Sequence, residues 1–472
     1  MTPTRFVAPF FVLFCPLVAI AADRDPNVAR SVVSEGDVRV SVPNLKPLIF
    51  RQTPAGIERM LYLSLEPVRH ELRKQLILQC VVAGRILERE LLDVPGGGAW
   101  DTIWLPEPTP ETLRLEIRQR PHTVLWSGEI RVPKRDGQDV LIPQSRCFSV
   151  GNLKPLCLRG TNYYPRWQPW PGLWRAMDAK HFEAEFAEMD KLGINTIRTF
   201  YNFDPDAKLH RSDGAFMPVL LSRINELLSV ADRHRIKVML CLGGPPPLTN
   251  LAMQRRWFRF GVEPFLYDGR ILMWDLINEP GGDKGPNATP DLSQWIRRMW
   301  AELKRIDTNH MATVGLCWQF DQLWDLEVKP EVAQFHNYSS AVGVQPAGQP
   351  RVRNVADDLR NIANFIANRP LVIGEFGFTS VVDEAKGWKG SEARQLEIYR
   401  GVIEGTEAAV KSGVNVAGVY NWCAFHFGPG WMGKGEQAFG VIRVDGTLKP
   451  AGEYLRDTYL RWRGRQRAPW EK

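Results

Sequence analysis

Eight times between residues 156 and 422 a short apolar run is followed by an amphipathic stretch, and nothing else in this chain restricts its fold so sharply. The apolar runs occupy residues 156–159, 196–200, 237–242, 271–277, 312–317, 332–336, 371–374 and 416–422. The stretches between them place apolar residues at helical spacing. One presents Phe182, Phe186, Met189 and Leu192 and stops at Gly193, a common helix terminator. Others carry Ile224, Leu227, Leu228 and Ala231, then Trp295, Met299, Leu303 and Ile306, then Leu359, Ile362 and Phe365. Ser391 is placed to cap a helix through Leu396 and Tyr399, and a last helix after Pro450 presents Tyr454, Leu455 and Tyr459. Eight such repeats in about 310 residues predict an α/β fold, a (β/α)8 TIM barrel over residues 151–463. A doubly wound sheet would ask for a Gly-rich turn after its first strand, and Arg159-Gly160-Thr161-Asn162 does not supply one.

Residues 23–150 read differently. Alternating or continuous apolar runs at 61–65, 76–82, 113–118 and 124–132 are separated by Pro95-Gly96-Gly97-Gly98 and Pro106-Glu107-Pro108, which predicts a small all-β sandwich. It carries no obvious chemistry; packing against the barrel is the favoured role and carbohydrate binding the other. Residues 1–22 have one early cation, Arg5, an apolar stretch from Phe10 to Ala19 and small residues at Ala19, Ala21 and Ala22. That is the pattern of a cleavable signal peptide, predicting a secreted or periplasmic protein. The stretch is too short to span a membrane and Pro9 and Pro16 interrupt it. Phe14 argues against lipidation of Cys15. Residues 464–472 read as a basic tail.

Removing the signal leaves Cys80, Cys147, Cys157, Cys241, Cys317 and Cys423, without the CxxC spacing of a structural zinc site. Cys147 and Cys157 are candidates to pair across the domain junction. The net charge of +7 comes from scattered Lys and Arg, with no nucleic-acid-binding motif. The 17 Trp against 10 Tyr lean instead towards saccharides, whose flat apolar faces indoles cover well.

In such a barrel chemistry sits at the C-terminal ends of the strands. Strand four ends Trp274-Asp275-Leu276-Ile277-Asn278-Glu279-Pro280, and strand seven ends Ile373-Gly374-Glu375-Phe376-Gly377. A carboxylate emerging there is paired, hydrated or used, because burying it alone costs several kcal/mol. Two carboxyls facing one cavity are the apparatus of glycoside hydrolysis.

These strand ends, with Leu158-Arg159-Gly160-Thr161-Asn162-Tyr163-Tyr164 at the first strand, resemble the clan A glycoside hydrolases, most closely families 5 and 2. The resemblance runs from about Leu156 to Arg461. It implies a retaining mechanism on a β-linked carbohydrate, with Glu279 as acid/base, Glu375 as nucleophile, and no cofactor or metal. It further implies that Asn278 bonds the sugar 2-hydroxyl, Arg198 holds Glu375 ionised and oriented, and His336 and Tyr338 line the site, with Tyr338 donating to the nucleophile. Trp422 would floor the cleavage subsite, and Asn162 and Trp431 would also contact sugar. One departure stands out: family 5 enzymes usually carry a His near the end of strand three, where this chain reads Leu242-Gly243-Gly244-Pro245-Pro246-Pro247. Retention requires carboxyl groups about 5–5.5 Å apart. The first loop gathers Tyr163, Tyr164, Trp167, Trp170 and Trp174 as candidate sugar platforms, and the Gly-rich segment 425–439, with His426 and Trp431, has the look of a mobile lid. The same residues would also serve a transglycosylase, or a carbohydrate-binding protein on a barrel that no longer hydrolyses.

Overall fold

The computed structural model describes residues 38–67, 74–119, 123–167, 172–175, 178–201, 208–243, 250–280, 292–316, 328–338, 355–367, 369–428 and 433–471. The signal-peptide segment, Trp170, Cys317 and Trp431 lie outside the described residues. The amino-terminal unit is two packed sheets. The first is ordered β1 (Val38–Ser41), β3 (Gly56–Pro67), β2 (Ile49–Thr53) and β9 (Val140–Ile142), with β6 (Ala99–Pro106) also paired to β3. The second runs β5 (Arg85–Glu90), β4 (Leu76–Val82), β7 (Thr112–Gln119) and β8 (Thr123–Arg131). Alternation in β4 and β7 turns Leu76, Leu78, Cys80, Leu113, Leu115 and Ile117 inwards, onto Leu61, Leu63 and Leu65 of β3.

The carboxy-terminal unit is a closed barrel of eight parallel strands. They are β10 (Leu158–Asn162), β11 (Thr196–Phe200), β12 (Lys237–Cys241), β13 (Ile271–Asn278), β14 (Met311–Leu316), β15 (Ala333–Asn337), β16 (Leu371–Phe376) and, after the small hairpin β17 (Val382–Asp383) and β18 (Trp388–Lys389), β19 (Val416–Asn421). β19 closes on both β16 and β10. Around it lie α1 (Ala179–Lys191), α2 (Pro218–Arg233), α3 (Leu251–Val262), α4 (Leu292–Ile306), α5 (Val355–Phe365), α6 (Glu392–Lys411), the short α7 (Lys434–Gln437) and α8 (Pro450–Arg465). Local chemistry sets several helix starts: the side chains of Asp178, Asn250 and Ser391 accept backbone N–H groups at the starts of α1, α3 and α6, and Pro218 and Pro450 open α2 and α8. None of the described helices is long and apolar enough to cross a membrane.

The sandwich shares a core with the barrel: Ile49, Met60, Tyr62, Trp104 and Ile142 belong to the same apolar cluster as Phe216, Leu220 and Phe260. Polar contacts lock the seam. Tyr62 donates to the Phe216 carbonyl (3.1 Å), and Arg259 of α3 contacts Asp101 of β6 (3.2 Å) while Arg89 pairs with Glu263 (2.8 Å). The sandwich is thus packed against the barrel. At the opposite rim, the segment expected to be a basic tail is folded against the barrel. α8 continues to Arg465, and the buried carboxylate of Glu471 pairs with the buried Arg159 of β10 while accepting from Asn195 (3.0 Å). A buried arginine demands such a partner. Among the described cysteines none is in a disulfide; Cys157 is buried and accepts from the Lys154 N–H, apart from Cys147.

Candidate active site

Arg198, on β11, is wholly buried inside the barrel and organises the mouth. Its Nε donates to Asp275 Oδ2 (2.8 Å), Nη1 to Asn162 Oδ1 (2.8 Å) and Glu375 Oε1 (2.7 Å), and Nη2 to Asn278 Oδ1 (2.6 Å). Burial alone would favour losing its proton, but the Asp275 and Glu375 carboxylates outweigh it and hold the guanidinium firmly charged. One planar fork thereby ties four strands together. Space for this layer comes from glycine: a Cβ on Gly315 of β14 would sit 2.8 Å from Gln334 Nε2, 3.0 Å from Asp275 Oδ2 and 3.1 Å from Arg198 Nη2.

Glu375 thus receives Arg198 on one oxygen and the Tyr338 hydroxyl on the other (2.8 Å). Burial, reinforced by Glu375, pushes the Tyr338 phenol well above its ordinary value, so it acts as donor. Glu279 lies across the mouth. The β13 register is irregular between Asp275 and Asn278, and Glu279 takes a left-handed backbone (φ 43°) with its N–H on the Gly315 carbonyl (2.7 Å). Such a conformation in a non-glycine residue costs on the order of 1–3 kcal/mol and is typical of functional positions. Here it turns the side chain off the strand towards His336. His336 Nδ1 stands 2.6 Å from Glu279 Oε1 and 3.6 Å from Glu375 Oε1. The Glu279 side chain is 34% exposed and that of Glu375 only 7%.

The proton arrangement follows from a residue the sequence reading passed over. Gln334, two positions before His336 and on the same face of β15, has its Nε2 3.2 Å from Asp275 Oδ2 and 3.4 Å from His336 Nε2. The Asp275 carboxylate accepts only, so the Gln334 amide must present its NH2 there. The second N–H then meets His336 Nε2, which must be the acceptor nitrogen, leaving Nδ1–H to donate to Glu279 Oε1. With Oε1 engaged, a proton on Glu279 sits on its other oxygen. Asp275, four residues before Glu279 in an otherwise apolar strand, and Gln334 were the two signals available.

The remaining expected residues fall into three groups. Asn278 fits contact with a ligand: its Oδ1 is taken by Arg198, which leaves its NH2 as donor. Trp422 follows β19 with Tyr164 (5.7 Å) and Phe439 (5.1 Å) packed on it, partly exposed at the mouth. Asn162, expected to contact sugar, instead is wholly buried, accepts from Arg198 and donates to the Gly374 and Asn421 carbonyls (2.9 and 3.1 Å); its bonds are used up in holding Arg198. Tyr163 and Trp174 of the first loop are buried, bonded to Glu185 (2.9 Å) and the Phe200 carbonyl (2.8 Å), and Trp167 stacks on His181. Only Tyr164 of the described set adjoins the carboxylates. The expected lid is fastened where it is described: Phe425, Phe427 and Phe439 are buried, and His426 N–H and Phe427 N–H bond Ile442 and Gln437 carbonyls.

Ligand atoms of Glu279, His336 and Glu375 all lie within 4.8 Å of one another, a spacing that a metal ion also accepts. Their donor set argues for another use: Glu375 already carries Arg198 and Tyr338, and His336 Nδ1 is turned to Glu279 as a donor rather than as a lone pair.

Comparison with known proteins places this geometry. The family model for cellulase (glycosyl hydrolase family 5) matches residues 160–408, just over half of the chain. Mannan endo-1,4-beta-mannosidase 2 of Arabidopsis thaliana is 27% identical over 165 residues, covering 27% of this chain and 38% of that protein. Mannan endo-1,4-beta-mannosidase 3 of Oryza sativa subsp. japonica is 25% identical over 171 residues, covering 28% and 36%. The match thus spans less than two fifths of these relatives. A solved structure of GH5_18 from Streptomyces cattleya in complex with GlcNAc shares the fold, with a TM-score of 0.53 at 18% identity over 67% of this chain and 82% of that one.

Proposed function

The chain belongs to glycoside hydrolase family 5, and from that premise we propose that it is a β-glycoside hydrolase working by double displacement with retention, Glu375 as nucleophile and Glu279 as acid/base. The observation that carries this reading is the closeness of the two carboxyls, with oxygens within 4.8 Å of each other. Inversion needs room for a water between groups about 6.5–9.5 Å apart, whereas a nucleophile works at about 5–5.5 Å.

The steps follow from the hydrogen bonds. The sugar at the cleavage point rests on Trp422, with its 2-hydroxyl at the Asn278 amide. Glu279, its Oε1 held by His336, offers the proton on its other oxygen to the departing glycosidic oxygen. Glu375, held by Arg198 and Tyr338, attacks the anomeric carbon from the opposite face and forms the glycosyl–enzyme bond. Glu279, now ionised and a third exposed, then takes a proton from an entering water, which displaces Glu375. The plant relatives named for mannan hydrolysis make a β-1,4-linked mannosyl polymer the first substrate to assay, and the signal-peptide pattern of residues 1–22 supports action outside the cytoplasm.

Glu375→Ala should lose at least about 10³-fold in kcat on an aryl β-glycoside, and azide should restore turnover by entering the vacated space. Proton NMR of the first product from the unmodified enzyme should show the β anomer. Full activity in the variant, or an α product, would sink the assignment.

A further inference from the structure

A second cluster of reactive side chains lies at the other end of the barrel. The linker from β9 to β10 runs beneath the start of β13: Ser145 N–H donates to the Tyr267 carbonyl (2.9 Å), and Gly269 lies so close that a Cβ there would stand 1.9 Å from the Arg146 carbonyl. This contact sets Cys147 against His310, the residue before β14. Its Sγ is 3.4 Å from His310 Nε2, and His310 Nδ1 is 2.7 Å from Asp307 Oδ2. Cys147 is partly exposed, whereas His310 and Asp307 are buried.

The charge on the imidazole follows from its neighbours. Nδ1 faces the Asp307 carboxylate, and Nε2 faces the Asp268 carbonyl (3.1 Å) as well as the sulfur. Both are acceptors, so both ring nitrogens carry hydrogen and the ring is a cation. Asp307 is equally committed to its charge, because its carboxylate accepts from Trp274 Nε1 (2.8 Å), Asn309 N–H (2.7 Å), His310 N–H (3.1 Å) and the ring. The other charged groups packed here are already matched. The Asp268 carboxylate is held by Arg270 (2.6 Å), and Lys304, which donates to the His310 carbonyl (3.1 Å), pairs with Glu331 (2.6 Å). Burial alone would lower His310, but the hydrogen bond the ring donates to Asp307 outweighs it and pushes the ring up to about 10.

We propose that Cys147, poised by His310 and Asp307, is a reactive thiol and a modification site for small disulfides, independent of the glycosidase centre. An imidazolium within hydrogen-bond reach favours the thiolate, the nucleophilic form. The thiolate attacks one sulfur of the disulfide; the Cys147–sulfur bond forms as the disulfide S–S bond breaks, and the departing thiolate takes a proton from water. No net oxidant is consumed beyond the disulfide itself. The other described cysteines do not compete: Cys80, Cys157, Cys241 and Cys423 are buried, and burial pushes Cys80 and Cys157 up to about 11.

The test is reaction of the whole folded protein with 5,5′-dithiobis(2-nitrobenzoic acid) from pH 5 to 9, with the labelled residue identified by peptide mass spectrometry. With the His310 ring beside its sulfur, Cys147 should be labelled about tenfold faster than free cysteine at pH 6. Cys147→Ser should remove that fast phase with hydrolysis of an aryl β-glycoside unchanged. His310→Gln should slow that labelling towards the rate of free cysteine. Labelling of Cys147 no faster than that of free cysteine, or no labelling of Cys147 in the folded protein, would overturn the proposal, and the unmodified protein alone decides this if the His310 variant does not fold.

Discussion

Gln334 places a single amide between Asp275 and His336, and the Asp275 carboxylate decides which way that amide points. Its Oε1 has no hydrogen-bond partner among the described residues, a cost the fold bears to keep both N–H groups directed at Asp275 and His336. Gln334→Leu keeps most of the volume and removes both donors. His336 is then free to adopt the other tautomer, with a bare Nδ1 lone pair facing Glu279, and the acid proton is no longer confined to the oxygen that faces the leaving group. The expected outcome is a fall in kcat of about tenfold or more, out of the 10²–10⁴ that a placed acid supplies, with KM little changed and the pH–kcat profile displaced. A variant with unaltered kcat and profile would show that His336 is held by other means.

At the scale of the strand, the barrel was legible because all eight staves are buried and read as short, largely apolar runs; residues 196–200 coincide with β11, and the other runs miss their ends by one to three residues. The two carboxylates were legible for the same reason, as charges where apolar runs stop. What lies inside a stave was not. Asp275 and Gln334 look like blemishes in an apolar run until Arg198 and His336 are brought beside them, and Asn162 at a strand end reads alike whether it faces a sugar or a neighbouring carbonyl. In the sandwich, β6 escaped notice because it is covered by the facing sheet on one side and by α3 on the other, which erases alternation, and β5 because it is largely solvent-facing. Glycine was the unread signal on β14. Gly315→Ala should force Gln334, Asp275 and Arg198 apart by several tenths of an ångström, costing about 1–3 kcal/mol as an overpacked core position. Thermal melting should register the loss, and kcat should fall with it, since the displaced atoms are those that hold Glu375. Unchanged melting and turnover would mean that the layer beneath the mouth has slack.

Across the whole molecule, buried titratable groups pull stability in one direction between mildly acidic and mildly alkaline pH. Burial pushes Glu185 up to about 7, against the hydrogen bonds from Arg166 N–H and Tyr163, and burial with Asp357 pushes Asp358 up to about 7. His310, lowered by burial but raised more by Asp307, stands at about 10. In all three the folded value lies above the unfolded one, near 4 for the acids and 6.5 for the imidazole. The folded chain therefore binds more protons in those windows, and stability falls as pH rises through them: from about 4 to 7 for the acids, and from 6.5 upwards for His310. Below about pH 4 the sign reverses. Asp101 at the sandwich–barrel seam is raised by burial but lowered more by Arg259, Arg89 and Arg256, so its folded value is depressed and its contribution is lost on acidification. Above pH 8 Lys449, which burial lowers to about 8, works the other way as its unfolded form keeps the proton longer. The urea midpoint should accordingly be highest near pH 5, lower at pH 8 and lower again at pH 3. Glu185→Gln should flatten part of the decline between pH 5 and 7, because the amide cannot ionise while keeping the Tyr163 and Arg166 contacts within reach. A midpoint that climbs steadily from pH 5 to 8 would contradict the assignment of these groups as the ones that set the pH response.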